Sequence, residues 1–208
     1  MQRMSNDTAE IMVYGDISDY WGEVSSSEFK RELDGLGNVN NLTIRINSNG
    51  GSVTSGWAIY NVLKQHRAFK TVYVDGIAAS MGAFIAMAGD EILMSNAGLL
   101  MIHKPWGIAM GEAEELRKEA DTLDKMFNIA VKIHAERTGT SEDEVRDMMI
   151  KTTYLNAEEA LELGFIDEII EYDGEETELD SESNMLHIAG EKLSIEKLLN
   201  RKELMQLS

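Results

Sequence analysis

The sequence predicts an α/β layer architecture, on three observations. Short apolar runs of strand type alternate with helical patterns along the chain. Two of those runs end in glycine or small-residue turns that open helices. A hydrophobic content of 43% over 208 residues suffices to bury one domain core. Strands alternating with helices at this spacing imply right-handed crossovers.

Ile11 to Ile17 reads as the first strand. Ser25 and Glu28 then stand in the S-x-x-E relation of a capping box, which predicts a helix to about Leu36. Leu42 to Asn47 alternates apolar and polar residues as a half-buried strand does, and the pattern breaks at "SNGGS". A helix from Val53 to His66 follows. Then come a strand from Thr71 to Val74, a turn, an apolar helix from Ser80 to Ala88, and strands from Glu91 to Ser95 and Leu99 to His103. Between Gly111 and Gly139, Leu116, Ala120, Leu123, Phe127, Ala130 and His134 recur at steps of four and three. That stripe faces either the core or a second subunit. Helices from Ser141 to Ile150 and from Ala157, and a strand from Phe165 to Ile170, close the body. "EYDGEETELDSESN" then carries seven carboxylates and no basic residue, which reads as a solvated loop or hairpin tip, and Leu193 to Leu207 has helical spacing. The domain division is therefore 1–170, including a long helix at about 111–138, and an acidic segment with a helical tail at 171–208.

Thirty-seven acidic against 19 basic residues give a formal charge of -18, which argues against binding phosphate backbones. Nucleic acid is not expected as a partner. The absence of cysteine excludes disulfides and thiolate metal sites, and His66, His103, His134 and His187 are too scattered for a zinc cluster. No metal or organic cofactor is implied. "MQRMSNDTAE" has no apolar leader segment and no stretch approaches a membrane span, so a cytoplasmic location without membrane contact is expected.

Ser80 stands in "VDGIAASMGAF", a lone hydroxyl among alanines and glycines after a strand. One reading is an N-cap over a tightly packed helix. The other is a nucleophile, with small neighbours that let a substrate chain approach and a helix start that supplies free N–H groups for an oxyanion. A serine needs a base, and "LLMIHKPWG" presents His103 at a strand end beside Pro105, the chain's single proline. Lys104 is the rival base. Consecutive strand residues point to opposite faces, which favours His103. Gly50 and Gly51 of "INSNGGSV" suit a close backbone approach and a second oxyanion donor.

"INSNGGSV", "DGIAASMGA", "MIHKPWG" and "YLNAEEALELGFIDEI" resemble, in this order, motifs of the ClpP family of serine peptidases, over about Ile11 to Ile170. The resemblance implies a spiral of ββα units, crotonase-like, with a projecting handle helix. It implies rings, heptameric in the family, that stack through that handle and enclose a proteolytic chamber. It also implies Ser80 as nucleophile, His103 as general base, and the N–H groups of Gly51 and Met81 as the oxyanion hole. Asn49 stands where the family has proline, and Thr152 where it has the third, acidic triad member. Asp147, one helical turn earlier, is the candidate substitute. The stretches Ile11–Ser48 and Ala58–Ser80 look closest to the ClpP-like head maturation proteases of tailed bacteriophages. That role implies capsid or scaffold protein as substrate, in the host cytoplasm or the assembling virion. A housekeeping subunit fed by a Clp ATPase is the second reading. A ring-forming protein with a weakened site, or a crotonase-type enzyme acting on acyl thioesters of coenzyme A, are the others.

Overall fold

The computed structural model describes residues 2–3, 7–171, 179–180, 185–188 and 191–194. By its contacts the chain divides into two compact units, Met1–Ile170 and Glu171–Ser208.

In the first unit the chain runs β1 (Gln2–Arg3), β2 (Thr8–Ile17), α1 (Ser26–Gly35), β3 (Asn41–Gly51), α2 (Val53–Gln65), β4 (Phe69–Ala79) and α3 (Met81–Ala86). It continues through β5 (Glu91–Ser95), β6 (Leu99–Ile102), α4 (Ala113–Thr138), α5 (Glu142–Lys151), β7 (Thr153–Leu155), α6 (Ala157–Glu162) and β8 (Glu168–Ile170). The sheet order is β1-β2-β3-β4-β5-β8, parallel from β2 onward. β4 changes partner along its length. Thr71–Val74 pair with β5, whereas Ile77–Ala79 pair with β6, which in turn takes β7 antiparallel. One strand thus feeds two branches of the same sheet. The bend falls where the β3–β4 register shifts between Ile46 and Ser48, and the Asn47 side-chain oxygen accepts the N–H of Ile77 there at 3.2 Å.

The core is built from strand residues such as Ile11, Ile44, Ile46, Val72 and Ile92, sealed by Ile59 and Leu63 of α2 and by all of α3. α3 lies against α2, β3 and β4. Its glycine and alanines are what allow this, since a Cβ on Gly82 would stand 3.0 Å from the Ser48 carbonyl oxygen.

Several expected elements end elsewhere. The strand expected to stop at Asn47 runs through the glycines to Gly51, because β2 keeps pairing with it there, Asp16 with Gly50 and Ile17 with Gly51, after the β4 pairing has ended at Ser48. The strand expected from Phe165 begins at Glu168. The N–H groups of Phe165 and Ile166 instead close the turn after α6 on Ala160. Ser25 caps α1 as expected, but the Glu28 carboxylate takes Arg31 at 2.7 Å, so the capping box is only half made. The stripe on α4 divides: Phe127, Val131, His134 and Ala135 are buried, while residues 113–121 are exposed throughout.

The second unit contains β9 (Leu179–Asp180), β10 (Met185–Ile188) and β11 (Glu191–Ser194), an antiparallel sheet in the order β11-β10-β9. Leu193 and Ser194 are therefore strand, not the start of a helix. The rest of the expected tail helix, and most of the acidic loop, lie outside the described residues. Among the described residues no helix is long and apolar enough to cross a membrane.

Candidate active site

β4 delivers Ser80 at the end of the strand that belongs to both branches of the sheet. Its N–H donates to the carbonyl of Met101 in β6 at 2.8 Å, and its backbone adopts φ 54°, ψ -117°. Positive φ at a residue with a Cβ is costly and persists only where the surroundings enforce it. Gly50 does the enforcing from β3. A Cβ there would stand 2.7 Å from both the Ala79 carbonyl oxygen and the Ser80 Cβ, and 2.8 Å from the Met81 nitrogen.

Ser80 occupies the N-cap position of α3, yet its side chain makes no capping hydrogen bond. Its Oγ lies instead 2.8 Å from Nε2 of His103, just past the end of β6. Lys104 points away, its ammonium 4.9 Å from the ring centroid of Phe127 on α4. Gly51 has φ 144°, and a Cβ would sit 2.2 Å from the Ile17 carbonyl oxygen, so only glycine lets β2 and β3 close here. Met81, as the first residue of α3, has an N–H without an intrahelical acceptor.

The third position is where the expected triad is incomplete. In the antiparallel β6–β7 ladder Ile102 faces Thr153, so Thr152 is the next position opposite His103. Thr152 is exposed at the C-cap of α5, and among the described residues no hydrogen bond joins it to His103. Asp147 is exposed on α5 and makes no ion pair among the described residues. Burial alone pushes the His103 imidazole below its ordinary value, with no carboxylate contributing. Among the described residues the site is thus a serine–histidine pair without an acid behind it.

Only the neutral imidazole can take a proton, so acid removes activity, and a lowered pKa moves that loss to lower pH. The acid limb of kcat/KM for peptide hydrolysis is expected to have its midpoint below about 6.5, the ordinary histidine value. A midpoint above it in a pH series would reveal an acidic partner.

Ser80, His103, Gly51 and Asn49 line one cleft of about 630 Å³, walled by Trp21, Trp106 and Ile108, three largely exposed apolar side chains. Asp19 holds the wall near Ile17 in place. It accepts hydrogen bonds from the hydroxyls of Ser55, Ser26 and Ser25, which keep its carboxyl well below the usual range. Nothing in the sequence around Asp19 marks this role beyond the serine cluster it binds.

Gly50→Ala is expected to destabilise the protein by about 3 kcal/mol, from left-handed backbone and overpacking together. It should also abolish nucleophile reactivity at Ser80. Gly35→Ala is the control, since nothing lies within 4 Å of a Cβ there. Thermal melts and active-site labelling of both variants check the prediction.

A family model described as Clp protease matches residues 2–173.

Proposed function

The chain belongs to the Clp protease family, and from that premise we propose that it is a serine endopeptidase acting through an acyl-enzyme at Ser80. The observation that carries the reading is the 2.8 Å contact between Ser80 Oγ and His103 Nε2 on the floor of a cleft that Gly51 shares. Ser80 Oγ attacks the peptide carbonyl carbon while His103 Nε2 takes the hydroxyl proton. The oxyanion accepts hydrogen bonds from the N–H groups of Gly51 and Met81. Collapse expels the amine, which receives the proton from His103. Water then attacks the ester, losing its proton to the same nitrogen, and Ser80 is regenerated.

The resemblance of Ile11–Ser48 and Ala58–Ser80 to phage head maturation proteases supports capsid or scaffold protein as substrate. A housekeeping role beside a Clp ATPase is the alternative. The exposed half of α4 supports assembly into rings that stack through this helix, because Leu116 lies there uncovered. Intact mass after treatment with a fluorophosphonate tests the chemistry. A single adduct on Ser80 that disappears in His103→Ala is expected, and an unmodified assembled protein would refute it. Native mass and co-expression with a capsid or scaffold substrate test the assembly and the role.

A further inference from the structure

A narrow recess of about 30 Å³ runs from Ser80 to the C-terminal half of α4. Its walls are apolar, from Trp57, Phe84, Met126 and Met149, except at Ser80, His103 and His134. His134 is 2% exposed, and its Nε2 is the one buried side-chain nitrogen or oxygen without a hydrogen-bond partner among the described residues. Its Nδ1 lies 2.9 Å from the Ala130 carbonyl oxygen, which can only accept. Nδ1 therefore carries the proton, and Nε2 is a bare acceptor. Phe84 and Phe165 flank the ring, with centroids at 5.8 and 5.9 Å. Burial pushes this imidazole down to about 4, so it is neutral at ordinary pH. A buried acceptor without a donor loses free energy that a ligand's donor can restore.

On the serine peptidase reading above, we infer that His134 determines specificity: the recess receives the side chain of the residue whose carbonyl Ser80 attacks, and Nε2 accepts a hydrogen bond from a neutral donor at its tip. The recess is small, so a slim, unbranched side chain fits it better than an aromatic ring. Among the described residues no carboxylate lines the recess, so a lysine ammonium would enter without a counter-charge. An ionised glutamate offers no donor. Glutamine is slim, uncharged and ends in N–H groups. Methionine has similar length but no donor, and is its natural control.

The test uses the full chain carrying Ser80→Ala, so that binding is read without turnover. Product peptides ending in glutamine, methionine or glutamate are titrated, with tryptophan fluorescence for affinity and the ¹⁵N resonance of His134 Nε2 for the recess as readouts. The glutamine peptide should bind about tenfold tighter than the methionine peptide, about the value of one net hydrogen bond, and glutamate weakest. Adding His134→Met should erase the preference. Equal affinities, or a preference that survives His134→Met, would overturn the inference. So would an unshifted Nε2 resonance, which needs no substitution at the buried position. Fluorophosphonate labelling of the unmodified protein separates the two claims. An adduct without glutamine preference sinks the specificity alone, whereas preference without an adduct sinks the hydrolytic reading and leaves the recess assigned.

Discussion

Thr152→Asp is expected to raise kcat/KM for peptide hydrolysis by about ten- to a thousandfold. The position continues the β6–β7 register opposite His103, so a carboxylate there is the group best placed to accept from Nδ1 and steady the imidazolium. In serine peptidases with a complete triad, removing the acid lowers kcat by about 10⁴, which sets the ceiling for restoring one. The backbone favours the change as well. Thr152 sits at φ 55°, ψ 84°, where a β-branched residue is strained and aspartate or asparagine is tolerated. Thr152→Asn supplies the same relief without charge. Steady-state kinetics of the pair separate the two contributions: aspartate should exceed asparagine by at least tenfold and move the acid limb upward. Equal rates would show that the carboxylate never reaches His103.

Ser80→Ala should abolish labelling and lower hydrolysis by about a hundredfold, far less than in a complete triad. In subtilisin, losing the serine costs about 2 × 10⁶ and losing the aspartate alone about 3 × 10⁴, which leaves roughly 70-fold for an acid-free pair. His103→Ala should cost the same, and the double variant no more, because the two groups act as a unit. Hydrolysis in Ser80→Ala equal to that of the parent would remove Ser80 from the reaction.

Much of this site was legible because the chemistry is local in sequence. A hydroxyl between small residues after a strand, and an imidazole beside the single proline, are each visible in a few letters. The strand order that brings them to 2.8 Å is not, since it depends on β4 pairing with β6 beyond its contact with β5. The glycine motif reads locally as a break, yet it continues as strand because β2 pairs with Gly50 and Gly51 beyond the point, Ser48, where the β4 pairing ends. His134 reads as one member of an apolar stripe. Periodicity identifies the face of α4 it belongs to, but the bare nitrogen emerges only once Ala130, Phe84 and Phe165 surround the ring. Capping boxes form at Glu112 with Glu115 and Asn156 with Glu159, and not at Ser25, because Arg31 competes for Glu28.

The division of β4 between two branches of the sheet has an evolutionary consequence. Nucleophile and base ride on strands locked by main-chain pairing, whereas the cleft walls at Trp21, Trp106 and Ile108 stand outside regular strands and helices. Mutations in those walls can accumulate without disturbing the reacting atoms, because main-chain pairing tolerates side-chain exchange around it. A lineage with this arrangement can exchange one protein substrate for another while inheriting its hydrolytic chemistry unchanged.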